Sequence, residues 1–413
     1  MIKFFHLADT HFGVENYGKI DLQTGIHSRL LDFDKALGVC VGKAIEENID
    51  FLVFCGDAYK TATPTPTQQK LFTKQMFRLY DAGIPVIIVV GNHDHPFCFG
   101  KSHSLDIFSY LPVEGFHVFS KPDILTLKTK TGHVQIVGIP WPNRSNLIAS
   151  ENHRFKSNSE ITSFLSEKVG QIISGLAQQL DPSLPSVLVA HLTVSTGLFS
   201  GSEKCAVFGS DPVFLPSQLA IAPFDYVALG HLHRYQNLNN GGTPVVYSGS
   251  IERIDLGERK EPKGFCSVEI DYASQGKTCK HDFVEIQARP MIQLEVVLRE
   301  SIDFTKQIVS EIEKYDLNES IIKILYHIPA GKADTVDHLL LAKTCSMAHC
   351  VAAIIPVFKV VARERRAAVQ VNMDFSQLLN QYFCSKNIEV SKKNNLIKKV
   401  QELQNQLDTL PLD

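Results

Sequence analysis

The sequence lacks several patterns that would assign a function directly. Its nine cysteines include no C-x-x-C pair, which argues against a thiolate zinc site and favours reduced thiols. It has no G-x-x-x-x-G-K-[ST] loop, so we expect any dependence on ATP to come from elsewhere. No apolar run approaches the roughly 20 residues that a membrane helix needs. A formal net charge of −3 excludes a globally basic coat for nucleic acid.

The start of the chain does not show the pattern of a secretory leader. Met1 leads straight into an apolar, strand-like segment at residues 2–7, without the basic and apolar regions of a signal peptide. We therefore expect a cytoplasmic protein. With 413 residues, of which 44% are hydrophobic, the chain can bury a substantial core and is expected to form more than one domain.

Five strand-like apolar runs end abruptly in polar residues. Continuous Val, Ile and Leu runs suit strands that are buried on both faces, and ligands of open α/β sheets gather beyond the carboxyl ends of such strands. We therefore expect the polar residues at these ends to lie at one edge of the fold. They are Asp9 and His11, then Asp57, then Asn92, His93 and Asp94, then His191, and finally His231 and His233.

The residue types at these ends indicate a metal site. Oxygen and imidazole ligands without cysteine suit manganese, iron or zinc. Seven candidate ligands are too many for one cation but suit two cations that share a carboxylate, and we expect Asp57 to be the shared ligand. The seven are Asp9, His11, Asp57, Asn92, His191, His231 and His233.

The order of these motifs resembles that of a known family. D-x-H, G-D, G-N-H-D, H and G-H-x-H follow one another as in the calcineurin-like metallophosphoesterases. The segment S-G-S-I-E-R at 248–253, followed by Gly257-Glu258 and Lys263-Gly264-Phe265, is similar to the SbcD branch, the nuclease subunits of bacterial SbcCD complexes. The resemblance is good over residues 1–290 and beyond them extends only to the layout.

The resemblance implies a ligand set and a catalytic residue. His93 is left free of metal for catalysis, as a proton donor or a stabiliser of the transition state, with Asp94 orienting it. Relatives often carry an acid or a histidine where this chain has Lys60, so the role of that position does not carry over. Two divalent cations, expected to be manganese, would be held by Asp9, His11, Asp57 and His233 and by Asp57, Asn92, His191 and His231.

The same resemblance implies an activity. An SbcD-like protein is a metal-dependent DNA nuclease, a 3′–5′ double-strand exonuclease and a single-strand and hairpin endonuclease that works with an SbcC-like ATPase in DNA repair and recombination. One alternative is a phosphodiesterase or phosphatase that acts on a small molecule or a phosphoprotein. Another is an inactive scaffold, which the presence of every ligand type disfavours.

The expected fold is α/β, with a two-sheet calcineurin-like metallophosphoesterase core, a small α/β cap domain and C-terminal helices. We expect the core at 1–285, the cap at 290–370 and the tail at 373–413. Helical spacing of apolar residues predicts crossover helices within 24–47 and 67–81. The second of these helices and a helix near 104–111 resemble the helices that form the homodimer contact of SbcD-like nucleases. Packing of this face on its own sheet explains the pattern equally well.

Two further surfaces are expected outside the core. Arg363, Arg365 and Arg366 either contact DNA phosphates or form a solvated face. Apolar stripes in the tail predict two amphipathic helices, which in the family dock on the coiled coil of the ATPase partner; the alternative is that they pack back on the cap. The residues assigned to docking are Phe375, Leu379, Phe383, Leu396 and Leu403.

Overall fold

The fold is known from a computed structural model. It describes residues 1–96, 101–110, 113–142, 157–201, 211–272, 276–358, 375–386 and 388–408. Two six-stranded sheets, a three-stranded sheet and a two-stranded ribbon make up the β-structure of these residues. None of the helices in the described part of the chain combines the length and apolarity that a bilayer crossing needs.

The first sheet contains four parallel strands and two antiparallel ones. Parallel neighbours require crossover connections, and the helices Ser28–Glu46 and Pro66–Asp81 supply two of them, which confirms both predicted helices. The second helix begins at a capping box formed by Thr65 and Gln68. The strand order is Thr278–Ile286, Lys263–Asp271, Ile2–Leu7, Phe51–Phe54, Val86–Val89 and Phe116–Phe119.

The second sheet has the same mixed character. Its four inner strands are parallel, and an antiparallel strand closes each edge. One of these edges is a hairpin that turns at Thr131-Gly132, and the helix Asn158–Ala177 crosses between two inner strands. The strand order is Gln236–Asn237, Val245–Tyr247, Tyr226–Gly230, Ser186–His191, His133–Ile139 and Asp123–Lys128.

Several short elements complete this part of the chain. A two-stranded ribbon joins Thr193–Val194 to Val213–Phe214. Single helical turns lie at Ile107–Tyr110, Pro216–Leu219 and Leu256–Glu258, the last of them a 3₁₀ turn. The helix predicted near residues 104–111 is thus only one turn long in the described residues.

The two large sheets pack face to face between outer helices. Alternate residues of each strand point to opposite faces, so Phe4 packs between the sheets while Phe5 packs toward the helices. Phe4 stacks on Phe51 with ring centroids 4.7 Å apart and meets the edge of Tyr226 of the second sheet. Each such buried side chain contributes about 1.5–3 kcal/mol. This double-sided burial holds the carboxyl ends of the strands in place.

Residues 291–358 form a third, parallel sheet with its own hydrophobic cluster. Its strands are Met291–Val297, Ile321–Ile328 and Cys350–Phe358, and the helices Phe304–Ile312 and His338–Thr344 connect them. The second helix begins at His338 because Asp337 caps it through the backbone N–H groups of Leu339 and Leu340.

A partly exposed ion-pair fork ties this third sheet to the core. Arg289 makes two bonds of 2.6 Å to Asp32 and one of 2.9 Å to Glu319. His349 also contacts Ser28, at 2.8 Å. The domain boundaries at 285–290 and 370–373 stay a prediction.

The tail contains the two expected helices, Phe375–Ser385 and Val390–Asp408. Phe383 is buried and Leu379 is half-buried, whereas Leu396 and Leu403 are 37% and 50% exposed. The side chain of Phe375 and the whole of Arg363, Arg365 and Arg366 lie outside the described residues.

Candidate metal centre

The predicted site residues meet where strands of both large sheets end. Asp9, Asp57 and Asn92 follow three neighbouring parallel strands of the first sheet. His191 ends a strand of the second sheet, and His231 follows the strand beside it. The carboxyl ends of both parallel sets thus open on one place, as the sequence predicts.

The backbone at these strand ends is strained. Among the described residues, seven non-glycine residues have positive φ, and four of them belong to the site. These four are Asp9 at 54°, His11 at 40°, Asp57 at 57° and His231 at 109°. Such conformations cost of order 1–3 kcal/mol each and concentrate at functional sites. The conformations that turn these side chains toward the site therefore lower the stability of the folded state.

Two glycines allow the strand ends to approach closely. A Cβ atom at Gly91 would overlap the Asp57 carboxylate, and one at Gly56 would lie 2.6 Å from Nδ1 of His191. Gly56 also has a φ of +89°, which favours glycine. The two G-D and G-N-H-D motifs need their glycines because the site is packed around them.

One group of donors gathers around His11. Its Nε2 lies 3.1 Å from Nε2 of His233, 3.6 Å from Oδ2 of Asp57 and 4.0 Å from Oδ1 of Asp9. Asp9, His11 and His233 offer ligand atoms that all lie within 4.8 Å of one another. These three and Asp57 are the residues that the family resemblance implies for the first cation.

A second group gathers around the Asn92 amide. Oδ1 of Asn92 lies 3.0 Å from Nε2 of His191 and 3.1 Å from Nδ1 of His231. Nε2 of His191 is also 3.4 Å from Oδ2 of Asp57. The same carboxylate oxygen therefore faces both groups, which is the geometry a shared ligand requires.

These separations fit coordination by divalent cations. Ligands about 2.1 Å from one ion lie between about 3 Å apart, at right angles, and about 4.2 Å apart, on opposite sides. The measured distances, from 3.0 to 4.0 Å, fall within that interval. Buried carboxylates, an amide oxygen and imidazoles also form a donor set for manganese, iron or zinc. Two cations could be held here, with Asp57 between them.

Contacts on the outer side of the imidazoles fix which nitrogen faces the site. Nδ1 of His191 lies 2.6 Å from the carbonyl oxygen of Cys55, which can only accept a hydrogen bond. Nδ1 of His233 lies 2.8 Å from Oε1 of Glu258. Nδ1 of both rings therefore carries a proton, so Nε2 is the nitrogen that a cation would bind.

Burial and close charges perturb the site strongly. Burial raises the pKa of Asp9 to about 7. Burial alone would also raise the pKa of Asp57 and lower that of His191. Their mutual attraction instead holds the pKa of Asp57 well below its ordinary value and raises that of His191 to about 9. Strongly perturbed groups in a strand-end cleft are typical of a functional site.

His93 differs from the ligand candidates because its side chain is exposed. Its backbone N–H donates to Oδ1 of Asp57 at 2.9 Å, and its ring lies 4.9 Å from that of His11. Its Nδ1 lies 2.8 Å from the carbonyl oxygen of Lys60. His93 thus borders the site with an accessible imidazole.

Asp94 lies elsewhere than we expected. We predicted that it orients His93, but no hydrogen bond among the described residues joins the two. Its buried carboxylate accepts backbone N–H groups instead, from Asp57 at 2.8 Å, Gly91 at 3.1 Å, Ala58 at 3.1 Å and Tyr59 at 3.3 Å. Because consecutive side chains leave the loop in different directions, Asp94 braces the two loops beneath the site.

Sequence reasoning missed three neighbours of the ligand candidates. Glu258 contacts His233, and Lys263 in turn contacts Glu258 at 2.7 Å. Both residues belong to the motifs quoted above, which gave them no role. Trp141, the only tryptophan, has its ring centroid 5.0 Å from that of His231 and 6.0 Å from that of His191. No signal in the sequence links Trp141 to the site.

Two packed α/β sheets whose strand ends carry a donor set for two cations define a metal-dependent hydrolase. Residues 2–235 match the family model described as calcineurin-like phosphoesterase. The chain therefore belongs to the calcineurin-like phosphoesterase family, and the predicted family is confirmed.

Known proteins are similar to the chain to different extents. The DNA double-strand break repair protein Mre11 of Archaeoglobus fulgidus is 27% identical over 320 residues, which are 71% of this chain and 61% of that protein. The chain thus spans less than two thirds of that relative. A dimetal phosphatase from Danio rerio matches with a TM-score of 0.39 at 10% identity, covering 68% of this chain and 98% of the other. A purple acid phosphatase from yellow lupin gives 0.36 at 15%, covering 65% and 49%.

Proposed function

We propose that the protein is an SbcD-like DNA nuclease that hydrolyses phosphodiester bonds with two divalent cations, for which manganese is the first candidate. The observation that carries this proposal is the convergence of two donor groups on one oxygen of Asp57, 3.6 Å from His11 and 3.4 Å from His191. Two cations held there would activate a water molecule and neutralise the charge of the scissile phosphate.

The residues of the chain have separate tasks in this mechanism. Asp9, His11 and His233 would hold one cation, Asn92, His191 and His231 the other, and Asp57 both. His93 acts on the substrate itself. Nδ1–H donates to the Lys60 carbonyl, so a proton for the departing sugar oxygen would come from Nε2–H of the doubly protonated ring. Asp94 keeps the loop of Asp57 in register.

DNA is the proposed substrate for two reasons. The relative from Archaeoglobus fulgidus is named as a DNA double-strand break repair protein. In addition, the chain carries a third sheet and two tail helices beyond the family match at residues 2–235. We propose that the third sheet caps the site and helps to hold the duplex, and that digestion is exonucleolytic from 3′ ends and endonucleolytic at hairpins.

The substrate can be tested directly. Purified protein with Mn²⁺ is offered end-labelled duplex DNA, hairpin DNA, bis-p-nitrophenyl phosphate and p-nitrophenyl phosphate, with EDTA as the metal-free control. We expect cleavage of both DNAs that EDTA abolishes. Turnover of a small ester without any cleavage of DNA would contradict the nuclease proposal and support a phosphatase or small-molecule phosphodiesterase.

We further propose that the tail docks on the coiled coil of an SbcC-like ATPase and that the nuclease is a homodimer. The exposed apolar residues Leu396 and Leu403 support the docking, because isolated amphipathic helices need a partner to cover them. Removing residues 373–413 should spare metal-dependent cleavage and abolish association with the ATPase. Insolubility of the truncated protein would instead support packing on the cap. Light scattering of the full chain tests the homodimer.

A further inference from the structure

A buried chain of polar contacts leads away from the metal centre behind His233. Nδ1 of His233 lies 2.8 Å from Oε1 of Glu258, and Oε2 of Glu258 lies 2.7 Å from Nζ of Lys263. Nζ of Lys263 also donates to Oγ of Ser250 at 2.8 Å and to the carbonyl oxygen of His233 at 3.0 Å. Glu258, Lys263 and Ser250 are each at most 1% exposed.

Every charged group in this series of contacts has its partners. The Lys263 ammonium has three protons and finds three acceptors, so neither charge is left uncompensated. A buried pair of this kind gains little stability over apolar side chains, because desolvation offsets its attraction. Its geometry points to another role, since the pair holds His233 twice. Glu258 binds the imidazole and Lys263 binds the main-chain carbonyl of the same residue.

The turn that carries Glu258 is itself fixed. Asp255 caps the 3₁₀ turn Leu256–Glu258 through the N–H of Gly257, and the N–H of Ile254 donates to Oε2 of Glu258 at 3.0 Å. Leu256 packs on Met291 and Ile321 of the third sheet. These contacts therefore fix the position of the Glu258 carboxylate between the His233 imidazole and the Lys263 ammonium.

We propose that Glu258, held by Lys263, is a positioning residue that fixes the Nδ1–H form and the orientation of His233. This inference rests on the proposed metal-dependent function. Nε2 of His233 is then left without a proton, 3.1 Å from Nε2 of His11, and the two atoms would bind the same cation. Glu258 thus sets the affinity of the cation held by Asp9, His11 and His233, and not that of the cation at Asn92, His191 and His231.

The variant Glu258→Gln tests this division, because an amide can present its NH₂ group to His233 or to Lys263 but cannot accept from both. Mn²⁺ affinities are measured by chelator competition and electron paramagnetic resonance. We expect the cation held by Asp9, His11 and His233 to bind 10–100-fold more weakly. The other cation, followed through the fluorescence of Trp141 beside His231, should keep its wild-type affinity. Equal affinities of wild type and variant at both sites would overturn the proposal.

A matched control is available at the protein surface. Oε1 of Glu295 lies 2.7 Å from Nε2 of His327, and 60% of the Glu295 side chain is exposed. Glu295→Gln removes the same kind of carboxylate–imidazole contact away from the site, and we expect both affinities to stay unchanged. A loss of affinity as large as that of Glu258→Gln would count against a local effect and overturn the proposal.

The tautomer can be measured without any variant. In metal-free, ¹⁵N-histidine-labelled wild-type protein, two-bond ¹⁵N–¹H correlations should show the proton of His233 on Nδ1. A proton on Nε2 would overturn the proposal even if Glu258→Gln failed to fold. Because this measurement needs neither DNA nor cations, its outcome is separate from that of the nuclease assay.

Discussion

Nδ1 of His93 lies 2.8 Å from the carbonyl oxygen of Lys60. A carbonyl oxygen only accepts hydrogen bonds, so Nδ1 carries a proton and Nε2 is the nitrogen that can exchange a proton with substrate. The contact uses the backbone of Lys60, and for that reason it does not depend on the side chain at this position. The departure of Lys60 from the family pattern therefore leaves the orientation of His93 intact.

His93→Ala should nearly abolish cleavage while both cations stay bound. The exposed imidazole is lost, but the backbone N–H that donates to Asp57 remains. A positioned acid or base contributes about 10²–10⁴-fold to the rate. Turnover of DNA and Mn²⁺ binding are measured in parallel, with His133→Ala, an exposed histidine on the hairpin, as control. Unchanged turnover would remove His93 from the mechanism.

Asp94→Asn should destabilise the protein and weaken metal binding without changing the role of His93. The carboxylate accepts four backbone N–H groups, and an amide would turn a donor toward two of them. Each buried N–H left unsatisfied costs about 1–3 kcal/mol. Urea unfolding and Mn²⁺ affinity measure these losses.

The pH profile of the remaining activity separates bracing from orientation of His93. If Asp94 only braces the loops, Asp94→Asn keeps the wild-type profile. A shifted profile would restore the orienting role that the sequence suggested. The matched control is Asp106→Asn, because the partly exposed carboxylate of Asp106 contacts His103. It should change neither the Mn²⁺ affinity nor the pH profile.

Mn²⁺ should quench the fluorescence of Trp141. Its ring lies 5.0 Å from that of His231 and 6.0 Å from that of His191, so a paramagnetic ion on these ligands sits close to the indole. Because the chain has one tryptophan, the signal has one source. A fluorescence titration in metal-free buffer measures it. His231→Gln should weaken the transition, and a signal that does not respond to Mn²⁺ in the wild type would place no cation beside these two histidines.

The strand ends were predictable because their signal is local. Val86–Val89 is a continuous apolar run, and Asn92 and His93 follow it within a few residues, so spacing alone places them at a sheet edge. The order of the motifs, which resembles that of the family, then predicted that five such strand ends meet at one site. The crossover helices were accordingly predicted correctly from residue patterns, and the family and its two-sheet core were predicted correctly from the resemblance.

Contacts between distant segments were not predictable in the same way. Glu258 reaches His233 across 25 residues of chain, and the partner of His93 is a backbone carbonyl that any residue type would provide. Asp94 shows the reverse case, in which neighbours in sequence do not contact each other. It follows His93 directly in sequence, yet its carboxylate faces Gly91 and the loop of Asp57. Adjacency in sequence says little about direction where the backbone leaves regular structure.

His6 offers a test of how the two sheets are held together. It lies in the first sheet, and its Nε2 and Nδ1 lie 3.1 Å from the Leu229 carbonyl oxygen and the Tyr226 hydroxyl of the second sheet. The carbonyl accepts from Nε2–H, and because burial keeps the ring neutral, Nδ1 accepts from the hydroxyl. Burial lowers the pKa of His6 to about 3.

Folding stability should therefore fall as the pH falls below the ordinary histidine pKa of 6.5. In that range the unfolded chain binds a proton that folded His6 does not, and the unfolded state is favoured by about 1.4 kcal/mol per pH unit. Between pH 7.5 and pH 5, with chelator present, the wild type should lose about 2 kcal/mol more than His6→Gln in urea unfolding. His133→Gln, in an exposed histidine, should keep the wild-type slope. Equal slopes for wild type and His6→Gln would show that His6 can take up its proton inside the folded protein, and the neutral bridge between the sheets would then be wrong.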